Sequence, residues 1–299
     1  MKNTFIGSLY LILASSIWGG MYVVVKVVVA VIPPVELVWI RYVIALLALV
    51  TIGLLTKQNW KIKKQHIGLI VAIAVIGYAV SIVAQETGTM LTTAQMGAII
   101  TSTTPAFMVV FASLILKERL TIRKFVSVFL ATVGVIVIVG VDNLDMSSML
   151  GGLSLIIAAL TWALMSVLIK RLPHDYSQIV VTTYATLIAV IILTPFVIPR
   201  LPEINMSDLV RPEIWGGLIY LGIISTAIAF LLWNRGLQKL NASSGGLYFF
   251  FQPIVGALLG WLILGETLTF TFWIGSILIL FGVLIVIKDE HGNHPEKAY

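Results

Sequence analysis

Eight side chains have the chemistry to hold a small solute inside an otherwise apolar chain: Trp18, Arg41, Tyr78, Ser81, Ser102, Trp162, Tyr248 and Gln252. A polar or amphipathic group inside a long apolar run is costly unless it meets a partner, a cavity or a substrate. Trp18 and Trp162 each offer a broad face and one donor. They stack on a substrate group from opposite sides of a cavity, or they pack against neighbouring helices. Tyr78 and Ser81 are one helical turn apart, so an α-helix puts both hydroxyls on one face. Tyr248 and Gln252 are spaced to face one way as well, and an unpaired buried amide such as Gln252 would be expensive. Ser102 belongs to a Ser/Thr run that precedes Pro105. Proline frees carbonyls in the preceding turn, so the run either satisfies them locally or marks a hinge, with Pro253 as its counterpart. Ser225 and Thr226 have weaker claims, since small hydroxyls also serve helix packing.

Charge within the runs is scarce. Arg41 is the most costly residue: it binds a substrate carboxylate with its two-pronged guanidinium, snorkels to the surface, or pairs with Glu36. Lys26 reads as a snorkelling residue. Glu86 closes its run and reads as a rim residue, gating or solvated. No carboxylate is then expected mid-membrane, which argues against a carboxylate proton relay of the usual kind. Glu118 sits at a turn, where it caps a helix or pairs with Arg119 or Arg123. The markers of catalysis are missing: His66, His174, His291 and His294 fall in loops or the tail, and there is no H-E-x-x-H pair. With no cysteine, thiolate metal sites are excluded. Neither an enzyme nor a cofactor is expected.

The elements that position these groups follow from composition. The chain has 299 residues, 59% of them hydrophobic and 11% charged, with a mean hydropathy of +1.05. Soluble domains carry about a quarter charged residues, so this is a membrane protein. Crossing the hydrocarbon core takes about 20 apolar residues. Ten segments qualify: 5–29, 35–55, 67–86, 95–116, 124–140, 151–170, 178–198, 214–233, 243–264 and 271–287. The runs are continuously apolar rather than alternating, which favours helices over a barrel. The first is too long for a signal-peptide core and reads as a retained span.

Of the 19 Lys and Arg residues, 15 fall on one side if the N-terminus is cytoplasmic. The positive-inside rule then puts both termini in the cytoplasm. The net charge of +6 is dispersed over many turns, so no nucleic-acid partner is expected; the partners are a small-molecule substrate and the lipid bilayer.

The sequence also repeats itself. A shift of 144 carries Gly7, Ala14, Trp18, Met21 and Lys26 onto Gly151, Ala158, Trp162, Met165 and Lys170. A shift of 148 carries Gly88, Ala94, Gly97, Pro105, Glu118, Leu120, Thr121 and Gly134 onto Gly236, Ala242, Gly245, Pro253, Glu266, Leu268, Thr269 and Gly282. Each copy holds five spans, and an odd number inverts the second copy. The expectation is therefore an all-α membrane protein of ten transmembrane helices: repeats 1–143 and 148–290, then a cytoplasmic tail, 291–299. Inverted repeats characterise secondary transporters, with substrate bound near the midplane between the halves. The six residues Trp18, Tyr78, Ser102, Trp162, Tyr248 and Gln252 are expected to converge there, with the fifth and tenth spans at the periphery.

The run from Pro105 through Leu116-Lys117-Glu118-Arg119-Leu120 to Gly134 recurs from Pro253 through Leu264-Gly265-Glu266-Thr267-Leu268 to Gly282. Together with Trp18-Gly19 and Arg41-Tyr42-Val43-Ile44-Ala45, it resembles the EamA-type members of the drug/metabolite transporter superfamily over nearly the whole chain. The resemblance implies a ten-span inner-membrane exporter or permease of amino acids and related metabolites. Drugs, quaternary amines and nucleotide sugars stand as alternative substrates. The second copy departs from the first at one place: Thr183 aligns with Arg41, so the halves differ in polarity.

Overall fold

The structure, a computed structural model, describes residues 2–92, 94–139, 146–173, 175–204, 206–264 and 270–292. Asp142, Asp145, His174, Glu266, His294 and residues 293–299 of the tail lie outside the described residues. Among those described there is no strand. The helices are α1 (Lys2–Val28), α2 (Pro34–Leu55), α3 (Lys64–Leu91), α4 (Ala94–Thr101), α5 (Thr104–Leu116), α6 (Ile122–Val139), α7 (Met146–Ile169), α8 (Gln178–Val197), α9 (Pro212–Leu237), α10 (Ala242–Gly246), α11 (Phe251–Leu264) and α12 (Phe270–Gly292). Six of them, α1, α2, α3, α7, α8 and α9, are long and apolar enough to cross a membrane, and α5 and α12 contain shorter apolar stretches. Val- and Ile-rich segments are only fair helix formers in water. In hydrocarbon, where each backbone group must be bonded internally, the helix is their natural solution. The chain is a multi-pass membrane protein.

Proline punctuates the helix starts. Pro34 and Pro212 each take the first turn, where the missing N–H is no loss. The run 95–116 is broken into α4 and α5 just before Pro105. The run 243–264 is likewise broken by a 3₁₀ turn, Leu247–Phe250, before Pro253. Two π-helical stretches also match: Ala74–Ser81 within α3 and Tyr220–Ile228 within α9.

Contacts recur in the same paired fashion. Lys26 Nζ, at the end of α1, donates to the carbonyls of Thr89, Met90 and Thr92 at the end of α3. Lys170 Nζ, just beyond α7, donates to the carbonyls of Leu237 and Leu240 at the end of α9. Rather than snorkelling freely, each ammonium closes the carbonyl end of a neighbouring helix, where acceptors and the helix dipole favour a cation. Close backbone approach is paired as well. A Cβ on Gly236 would lie 3.0 Å from Gly7 O, and one on Gly88 would lie 2.9 Å from Gly151 O. Only the absence of a side chain lets α1 meet α9, and α7 meet α3, at that distance.

The core is assembled around α1 and α7. The first packs on α9 and α11, the second on α3 and α5, and α2 packs on α8. Helices α6 and α12 pack chiefly on each other. They turn Phe125, Phe129, Trp273, Ile277 and Phe281 outward, as helices at the lipid boundary should. At the basic end of the bundle, residues 56–63 cross the helix ends. Trp60 lies on Gly53, and Tyr184 Oη donates to the Trp60 carbonyl. Glu118 does cap a helix there: its carboxylate accepts the N–H groups of Ala242 and Ser243 at the start of α10. Its ion-pair partner is Lys124, at 3.7 Å.

Candidate functional site

A stripe of α1 reaches the centre of the molecule. Ala14, Trp18, Met21, Tyr22 and Val25 recur at three- and four-residue spacing and are all buried, the pattern of a helix with one packed face. Gly19 brings this helix hard against α11, since a Cβ there would lie 2.6 Å from Gln252 O. Trp18 consequently sits among rings from three other elements. Its centroid is 5.3 Å from Trp162, 5.9 Å from Phe230, 5.4 Å from Trp233 and 5.5 Å from Phe249. Trp162 and Phe230 are 5.1 Å apart. Most of these pairs meet edge to face or tilted, arrangements that the ring quadrupoles favour.

Beside this box of rings is a small cavity of about 20 Å³, room for roughly one water. It is lined by Trp18, Trp162, Phe230 and Phe249 on the aromatic side, and by Tyr22, Arg41, Gln85 and Gln252 on the polar side. Trp18 Nε1 is committed to Ser225 O at 2.9 Å. Trp162 Nε1 and Gln252 Oε1 are buried and have no hydrogen-bond partner. Leaving such groups bare costs stability, so their presence on a cavity wall is informative.

Arg41 is fully buried. Its NH1 group donates to Glu86, its NH2 to Ser225 Oγ at 3.1 Å, and its Nε to Thr226 Oγ1 at 2.9 Å. It neither snorkels nor pairs with Glu36, whose nearest cation is Arg200 at 4.0 Å. Glu86 is itself fully buried, so the expectation of a solvated rim residue is corrected. The cause is helix length: α3 continues to Leu91, which draws Glu86 more than a turn inside.

The family's sequence profile matches residues 5–140 and 149–288, and its description reads EamA-like transporter family. The chain is a member of the EamA-like transporter family. An uncharacterized transporter of Archaeoglobus fulgidus is 27% identical over 280 residues, covering 94% of this chain and 98% of its own. A second, YoaV of Bacillus subtilis, is 24% identical and covers 90% of this chain and 92% of its own. The permease-like protein YdzE of B. subtilis is 74% identical over 72 residues, 24% of this chain and 92% of its own. A solved crystal structure shares the fold, with a TM-score of 0.78 at 17% identity, covering 96% of this chain and 99% of the other.

Within this transporter, four of the eight expected residues line the cavity: Trp18, Trp162, Arg41 and Gln252. The other four do not. Ser81 Oγ donates to Ala158 O at 2.8 Å, whereas Tyr78 Oη accepts a hydrogen bond from Asn234 Nδ2 at 3.2 Å. The shared face is lost because this stretch is π-helical, and its i→i+5 winding changes the phase of the side chains. Tyr248 lies in a 3₁₀ turn, which breaks the four-residue relation to Gln252. Its hydroxyl pairs with Ser8 at 2.5 Å, while Phe249 takes the cavity position. Ser102 Oγ bonds back to Ala98 O at 2.6 Å, and Thr101 and Thr103 do likewise within α4. The Ser/Thr run therefore satisfies its own broken helix. Tyr22, Gln85, Phe230 and Phe249 were not anticipated; Tyr22 alone carried a usable signal, one turn beyond Trp18 on the same stripe.

Proposed function

We propose that the chain is a secondary transporter that moves an amino acid or related small metabolite outward by alternating access. In this reading residues 1–143 and 148–290 form two inverted five-helix halves, ten spans in all. Both termini and the tail, 291–299, are cytoplasmic, and the bilayer is the inner (plasma) membrane. The paired lysine caps, glycine crossings, π-helical stretches and proline breaks support the repeat. Pro105 and Pro253, each opening the second piece of a broken helix, serve as hinges.

One observation carries the substrate class: Arg41 lines a cavity that Trp18, Trp162, Phe230 and Phe249 line as well. A carboxylate with an apolar remainder matches both kinds of lining. A quaternary amine would suit the rings alone, but Arg41 would repel it. The cavity holds about one water, too little for an amino acid, so admission of substrate requires the rings to part.

The test is a resistance screen. Bacteria expressing the chain are challenged with amino acids and their toxic analogues, and efflux is then measured in cells loaded with labelled solute. Resistance accompanied by faster efflux is expected for at least one apolar amino acid. Resistance confined to cationic drugs sinks this reading.

A further inference from the structure

Arg41 and Glu86 form an ion pair sealed from solvent, with side chains 1% and 0% exposed. Arg41 lines the cavity; Glu86 stands one helical turn beyond Ile82, which lines it too. Glu86 spends one oxygen on the guanidinium, and the other, Oε2, is buried without a hydrogen-bond partner. Ser225 and Thr226 hold the remaining edges of the guanidinium through neutral hydroxyls. Arg41 therefore stays anchored if Glu86 lets go.

We propose that this ion pair is the recognition element for a zwitterion: it opens to place the substrate carboxylate on Arg41 and the substrate ammonium on Glu86. The inference rests on the amino-acid reading above and extends it by giving the ammonium a partner. Opening a buried ion pair is strongly unfavourable because each member is left uncompensated. A simple carboxylate would satisfy Arg41 and strand Glu86; a simple amine would do the reverse. Only a molecule that carries both charges close together restores two pairs, as the adjacent carboxylate and ammonium of an α-amino acid do. The charge sums to zero before and after, so this step takes up and releases no proton. The apolar side chain goes among Trp18, Trp162, Phe230 and Phe249, while Trp162 and Gln252, which line the same cavity, supply a spare donor at Nε1 and a spare acceptor at Oε1.

The experiment uses the full chain in proteoliposomes and three matched probes: L-phenylalanine, 3-phenylpropionate and phenethylamine. If L-phenylalanine is not carried, L-leucine with 4-methylpentanoate and 3-methylbutylamine replaces them. For the wild type, each singly charged probe should compete about 10-fold or more weakly than the amino acid, the scale set by losing a hydrogen bond to a charged group. Glu86→Gln should weaken the amino acid about 10-fold or more and strengthen the carboxylate probe, which no longer strands a buried charge, closing the gap between them. Since a lone Arg41 substitution would strand Glu86, the companion is the double variant Arg41→Gln/Glu86→Gln, which keeps a neutral pair and should discriminate among none of the three. Transport of the amino acid with the wild-type ratio intact in Glu86→Gln overturns the ion-pair assignment alone. Failure of the wild type to carry any amino acid overturns both this inference and the reading beneath it.

Discussion

Two polar networks flank the aromatic box, alike in construction and unlike in charge. In one, Arg41 of α2 joins Glu86 of α3 and Thr226 of α9. In the other, Asn234 of α9 joins Thr182 of α8 and Tyr78 of α3. The shift that carries Tyr78 onto Thr226 also carries Glu86 onto Asn234. Two of the three members thus stand at matching positions, while the third, Thr182, lies one residue before the Thr183 that aligns with Arg41. An amide stands where the first network has a carboxylate, and a hydroxyl where it has a guanidinium. The neutral network demonstrates that hydrogen bonds alone suffice to join three helices at this place. Ions are a costlier way to make the same joint, since desolvation cancels much of their attraction. Retaining them on one side only is what a binding role for that side predicts.

The largest expected effect is a contrast between the networks. Arg41→Ala strands a buried carboxylate and should cost about 3–5 kcal/mol. Asn234→Ala, which removes neutral bonds, should cost about 1–3 kcal/mol. Detergent melting of the two purified variants measures the difference; equal losses would mean that the charged network is no more than scaffold. Next come the lysine caps. Lys26→Met and Lys170→Met each remove a cation from part-buried helix-end carbonyls, and each should cost about 1.5–3 kcal/mol. The comparison is sharpest if the two losses agree, because Lys26 and Lys170 stand at matching sequence positions and the proposed repeat makes the caps equivalent. A loss in only one variant breaks the equivalence of the halves. The smallest stability effect belongs to Trp162→Phe. It keeps an apolar ring but loses an N–H that bonds to nothing in the protein, so melting should move by under about 1 kcal/mol. Solute efflux should fall nonetheless. Full efflux by a well-folded Trp162→Phe variant would strip the indole N–H of any part in transport.

Four of the eight expected residues line one cavity, and the placement of the other four has identifiable causes. Trp18, Trp162, Arg41 and Gln252 are large or polar groups deep in apolar runs, and burial cost alone singles them out. Tyr78, Ser81 and Tyr248 were placed by assuming 3.6 residues per turn, in segments that are wound as π or 3₁₀ helix. The run that holds Ser102 reads as local back-bonding or as a hinge, and the broken helix takes the Ser102 hydroxyl. Phe230 and Phe249 are indistinguishable in sequence from aromatic residues that face lipid.

What the sequence by itself determined was the solvent. Continuous apolar runs with charges confined to turns specify helices in a bilayer, because no other backbone arrangement satisfies itself there. Its self-similarity also pointed to the lysines, glycines and prolines at which contacts now recur. Tertiary structure alone decided how far α3 runs, and hence that Glu86 is buried, and which of two carboxylates Arg41 meets. Those outcomes depend on neighbours distant in the chain. Glu86 closes an apolar run that hydropathy ends too early, and a buried charge takes the partner that packing brings to it rather than the one nearest in sequence.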